Sequence, residues 1–159
     1  MHTAWVLDTP LGPMTAVSQG DALTALTFGE RLPPGCALER TPLIANAAAQ
    51  LGEYFAGKRQ AFDLPLQPRG TAFQQAVWQA LQQIPYGQTR SYGFIAAAVG
   101  RPQATRAVGG ANHRNPLSIL IPCHRVIGAD GSLTGYGGGL HIKQALLLLE
   151  QTHTKELCT

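Results

Sequence analysis

The sequence predicts an α+β chain. An N-terminal lobe, residues 1–69, carries a small antiparallel sheet and a helix; a mostly helical C-terminal lobe, residues 70–159, carries a helix-turn-helix and an active-site loop. Three observations predict this. Short runs rich in Val, Leu, Thr and aromatics open the chain with turn residues between them. Apolar spacing then changes to the helical period from Thr41 onward. A stretch with Pro65 and Pro68 leads to Gly70, after which every long apolar pattern is again helical, so the lobe boundary is placed there.

The strand candidates are Thr3 to Thr9, Met14 to Ser18 and Ala22 to Phe28, separated by Pro10-Leu-Gly-Pro13 and Gln19-Gly-Asp21. After the Pro-rich break Leu32-Pro-Pro-Gly35, Leu43, Ile44, Ala47, Leu51, Tyr54 and Phe55 share one side of a helix over Thr41 to Phe55 that ends at Gly57. From Thr71 a second helix gathers Phe73, Val77, Trp78, Leu81 and Ile84, and Pro85-Tyr-Gly87 stops it. Ser91 can cap the next helix, which carries Tyr92, Ile95, Ala96 and Val99; Gly100-Arg-Pro102 turns the chain into a further helix over Gln103 to Ala111. That spacing suits a helix-turn-helix, although two short helices joined by a glycine turn are also a common packing unit. Asn115-Pro116 is a turn, Leu117 to Ile121 a buried-strand candidate, and Asp130-Gly131 another turn. Gly135-Tyr-Gly-Gly-Gly139 is a flexible loop, and a last helix runs from Leu140 to about His153.

Composition excludes several classes. Hydrophobic residues make up 45% of the 159 and charged residues 13%, which argues for a packed core rather than disorder. No apolar run approaches the roughly 18 residues of a membrane span, and the N-terminus has no basic region followed by an apolar stretch, so a soluble cytoplasmic protein is expected. Cys36, Cys123 and Cys158 form no C-x-x-C pair and leave an odd thiol, which suits a reducing compartment. The five histidines have no spacing that gathers three or four zinc ligands. Net charge is only +3, but Leu64 to Leu149 holds seven basic residues against the single acid Asp130. Such a segment attracts polyanions, phosphate backbones among them, or is simply a solvated face.

Two clusters carry chemistry. Ala107-Val-Gly-Gly-Ala111 puts small residues on the second helix of the pair, with Arg106 projecting alone. Its backbone can approach a narrow minor groove, or it can pack tightly on a neighbouring helix. Cys123 lies between a proline and His124 at the end of an apolar run. A thiol in apolar surroundings is inert unless a base takes its proton, so His124 would have to act directly or through a water, and would itself need an orienting acceptor. Glu150, set beside four leucines, is the candidate acceptor. Cys123 is thus either the nucleophile of this set or a small buried hydrophobe.

Ile121-Pro-Cys-His-Arg-Val126, preceded by Arg106-Ala-Val-Gly-Gly-Ala111 and Asn115-Pro116 and followed by Gly135-Tyr136, resembles the O6-alkylguanine-DNA alkyltransferases. The likeness runs from about Gly70 to Glu150 with order and spacing kept; the first lobe matches in general pattern only. The resemblance implies that Cys123 accepts an alkyl group from O6-alkylguanine, and from O4-methylthymine, in double-stranded DNA, with His124 and Glu150 as a relay through water. It implies that Asn115 braces the turn before the active-site strand and that Tyr92 gives a proton to the departing guanine. Arg106 would enter the stack beside an extruded nucleotide, with Ala107, Gly109 and Asn112 along the minor groove. Val126, Tyr136 and Gly137 would line the base pocket together with Tyr92. The implied protein is a monomer that needs no cofactor, inserts in no membrane and acts once.

Some members of that family hold zinc in the first lobe; His2 and Cys36 are the only plausible ligands here, so no metal is expected. Gly137 leaves its loop position without a side chain, which would loosen the pocket toward bulkier adducts. Rival readings are a cysteine hydrolase, which would need an oxyanion site, and a binding protein that marks damaged DNA without reacting. Retention of Cys123 speaks against the second, and no extra domain supports a fused transcriptional regulator.

Overall fold

The computed structural model describes residues 2–134, 136 and 139–157, with side chains as far as residue 154. It divides into two compact units: Met1–Arg69 with Pro116–Leu120, and Gly70–Asn115 with Ile121–Thr159.

In the first unit the antiparallel meander forms as the turns dictate, from β1 (His2–Thr9), β2 (Gly12–Gln19) and β3 (Ala22–Phe28). A two-residue strand, β4 (Ala37–Leu38), adds parallel to β1, so the sheet order is β3-β2-β1-β4 and the sheet is mixed rather than purely antiparallel. Central β2 is buried on both faces from Met14 to Ser18. Helix α1 (Pro42–Phe55) starts where Thr41 accepts from the Ile44 amide and Pro42 presets the first turn. Its Ile44, Ala47, Leu51 and Tyr54 are buried and form the unit's core with Ala4, Met14, Leu23 and Leu26. Leu117 to Leu120 belong to this unit, yet the expected strand is reduced to isolated bridge positions, among them a parallel bridge between Leu26 and Leu117. The cause is Ile119, whose φ of 71° turns the chain out of extended geometry.

The second unit is helical. Helix α2 (Ala72–Leu81) opens with a full capping box between Thr71 and Gln74, buries Val77, Trp78 and Leu81, and is tied to the next helix pair by Trp78 Nε1 donating to the Ala111 carbonyl at 2.9 Å. Helices α3 (Tyr92–Ala98), capped by Ser91, and α4 (Thr105–His113) are the helix-turn-helix; α4 begins two residues later than the sequence pattern placed it. Two-residue strands β5 (Arg90–Ser91) and β6 (Val126–Ile127) pair in parallel. A 3-10 turn spans Cys123–Arg125, and α5 (Leu140–Leu157) closes the unit, turning Ile142, Lys143, Leu146, Leu147 and Glu150 inward. No helix of the described residues is long and apolar enough to cross a membrane.

Candidate active site and nucleic-acid face

Every described site residue lies in the second unit. Pro122 ends the apolar run and the chain tightens into the 3-10 turn, so Cys123, His124 and Arg125 are all buried, at 4%, 0% and 7% exposure. Two asparagines set that turn. Asn115 Nδ2 donates to the Ile121 carbonyl at 2.8 Å, and Asn112 Nδ2 donates to the Cys123 carbonyl at 3.3 Å. Burial pushes the Cys123 thiol above its ordinary range, while hydrogen bonds from Asn115 and Tyr136 and the charge of Lys143 pull the other way.

The next two residues of the turn, His124 and Arg125, enter a buried ionic network. Glu150 Oε2 is 2.7 Å from His124 Nε2 and accepts from Arg125 Nη2 at 3.0 Å; Glu150 Oε1 accepts from Arg125 Nε at 2.8 Å and from the Gly87 amide at 3.3 Å. Arg125 Nη1 also donates to the Ile84 carbonyl at 2.8 Å. Gly87 fits because its φ is +79° and any Cβ would collide with Thr154. Burial alone would raise the Glu150 carboxyl, but His124 and Arg125 together outweigh it and hold the group well below the carboxylate range. Burial lowers His124, against the pull of Glu150. A neutral imidazole facing an ionised carboxylate carries its hydrogen on Nε2, which leaves the Nδ1 lone pair as acceptor. Nδ1 is buried and meets no protein partner among the described residues. The set therefore holds a thiol and an oriented neutral base.

Lys143 is fully buried, donating to the Val126 carbonyl at 2.5 Å and the Thr134 carbonyl at 3.1 Å; burial lowers its pKa and the nearby Cys123 raises it. Val126 and Tyr136 are buried, and Tyr92 is half-buried with its hydroxyl 2.6 Å from that of Thr134. Gly137 lies outside the described residues.

On α4, Arg106, Ala107 and Gly110 are exposed and Gly109 is half-exposed. A Cβ on Gly110 would meet nothing within 4 Å, and one on Gly109 would only touch the Tyr92 ring at 4.0 Å. Internal packing therefore does not require these glycines, and the alternative of a partner approaching from outside is favoured. Asn112, expected on this face, is instead buried at 3% exposure and turned toward Cys123. It stands six positions after Arg106, about 240° around the helix. Sequence reasoning missed Arg125, although an arginine between a histidine and Val126-Ile127 signals a buried charge in need of a partner. It also missed Lys143 and Thr134, which no motif marks. Among the described residues no group of three or more His, Cys, Asp and Glu side chains is placed to hold a metal.

A buried thiol backed by a histidine–carboxylate pair, within the unit that presents a small-residue helix, defines a nucleophilic protein of the helix-turn-helix class. Residues 72–152 match the model of the 6-O-methylguanine DNA methyltransferase DNA-binding domain, and residues 4–68 match that of the ribonuclease-like domain of the same proteins. The chain is 52% identical over 149 residues to a methylated-DNA–protein-cysteine methyltransferase of Mycobacterium tuberculosis, covering 92% of this chain and 90% of that protein. It is 49% identical over 157 residues to the constitutive methylated-DNA–protein-cysteine methyltransferase of Bacillus subtilis, covering 94% and 95%. A crystal structure of Mycobacterium tuberculosis OGT in complex with DNA superposes with a TM-score of 0.89 at 50% identity, over 95% of this chain and 94% of that one. The chain belongs to the 6-O-methylguanine DNA methyltransferase family.

Proposed function

We propose that this protein repairs DNA by direct reversal, moving the alkyl group of O6-alkylguanine in a duplex onto Cys123 in one irreversible step. The observation that carries the reading is the buried Cys123 thiol beside the neutral His124 that Glu150 and Arg125 hold in place. His124 Nδ1 takes the thiol proton through a water, and the thiolate displaces guanine in line. The S–C bond forms as the C–O6 bond breaks, and Tyr92 gives its phenolic proton to the departing base. Asn115 and Asn112 keep the turn in register for attack; Val126 and Tyr136 line the base pocket.

An O6 adduct within the stack is out of reach of a buried sulfur, so the nucleotide is flipped, at a cost of a few kcal/mol that is least for poorly paired bases. Arg106 fills the gap while Ala107 and Gly109 lie along the minor groove. O4-methylthymine, whose O–alkyl bond poses the same displacement, is the second substrate of this reading. A thioether sulfur is a poor leaving group, so each chain acts once, as a monomer, in the cytoplasm, where thiols stay reduced.

The test is to mix the protein with a duplex bearing one O6-methylguanine and to take an intact mass followed by peptide mapping. One methyl on Cys123 and restored guanine are expected, with no second turnover. Repeated turnover, or a chain that binds and stays unmodified, would overturn the reading.

A further inference from the structure

We propose that Thr134 is a positioning residue for the Tyr92 phenol, a role that rests on Tyr92 being the proton donor to the departing base. The two hydroxyls are 2.6 Å apart although 42 residues separate them in sequence. Neither is placed by chance contact of loose side chains. Tyr92 is the first residue of α3, whose start is set by Ser91 accepting from the Phe94 amide at 3.0 Å. Thr134 is held from the other side, because its carbonyl accepts from Lys143 Nζ, which also grips the Val126 carbonyl. Both hydroxyl-bearing residues face a groove of about 350 Å³ that Arg106, Gly109 and His113 also line.

A phenol has one hydrogen to give and lone pairs to accept with. When Thr134 donates to Tyr92 Oη, the phenolic hydrogen is free to point into the groove toward the base. As the C–O6 bond breaks, its electron pair stays with guanine and the Tyr92 proton neutralises a ring nitrogen, so negative charge develops on Oη. The bond from Thr134 then becomes charge-assisted and roughly twice as strong. It favours the transition state over the bound substrate, and Oη regains a proton from solvent afterwards. Thr134 loses no proton and touches no reacting atom; it acts through Tyr92.

The experiment measures single-turnover methyl transfer from an O6-methylguanine duplex at saturating protein. Thr134→Val, which keeps the shape and removes the hydroxyl, is expected to slow transfer about tenfold, the worth of one such hydrogen bond. Duplex affinity should stay unchanged, and Thr134→Ser should restore the rate. In a Tyr92→Phe background, Thr134→Val should cost nothing more. A wild-type rate for Thr134→Val, a serine variant as slow as the valine one, or additive losses in the double variant would each overturn the role. A wild-type rate for Tyr92→Phe would instead remove the proton-donor reading on which it rests.

Discussion

Arg125 carries more of the site than its place next to the nucleophile suggests. Its guanidinium makes two bonds to Glu150 and one to the Ile84 carbonyl while only 7% exposed. A buried ion pair gains little net stability over an apolar packing, but removing one partner strands the other charge. Arg125→Met is therefore expected to lower the unfolding free energy by about 3–5 kcal/mol, read from the urea midpoint. Adding Glu150→Gln to that variant should recover part of the loss, because no charge is then left unpaired. A single variant within about 1 kcal/mol of the parent would contradict the network's assigned role. Arg125 also explains how Glu150 can orient His124 without keeping its own proton: the guanidinium neutralises the carboxylate, and the imidazole stays the basic partner.

Helix α4 shows how much an element can be read from periodicity and where reading stops. Its small residues were visible in sequence, but whether they served an internal neighbour or an external one was not. The open space at Gly110 decides between these, since a side chain there would project into solvent. Gly110→Leu is accordingly expected to keep the fold and raise helix stability by up to about 1 kcal/mol, glycine being a poor helix former. The same change should weaken binding to an O6-methylguanine duplex about tenfold, a steric cost near 1.4 kcal/mol. Fluorescence anisotropy and urea unfolding on one preparation test both, and unchanged affinity would remove the helix surface from the DNA face. Asn112, which the resemblance placed along the minor groove, shares the buried side of the helix with Val108 and Ala111.

Over the whole molecule, what sequence made legible is what local chemistry determines. Thr41, Thr71 and Ser91 announce their helices because a cap acts within three residues, and the meander follows from its turns. The β4 and β5–β6 pairings, the bent course near Ile119 and the contacts of Arg125, Lys143 and Thr134 depend on partners far along the chain, so no local pattern foretold them. Such distant closure of the site makes folding and protonation depend on each other. Burial keeps His124 neutral in the fold below its ordinary value of 6.5, so the unfolded chain binds more protons there, and stability falls as pH falls through that range. Glu150 acts in the same direction lower down: its folded carboxyl is depressed, and its contribution, complete above the ordinary value of 4.5, is lost as pH drops further. Stability should therefore drop between about pH 7.5 and about pH 5.5 through His124. Urea midpoints across that window measure it, and His124→Gln, which cannot titrate, should flatten the slope. A parent protein whose midpoint is level over the window, or a variant with the parent's slope, would mean that His124 is not held neutral by its burial.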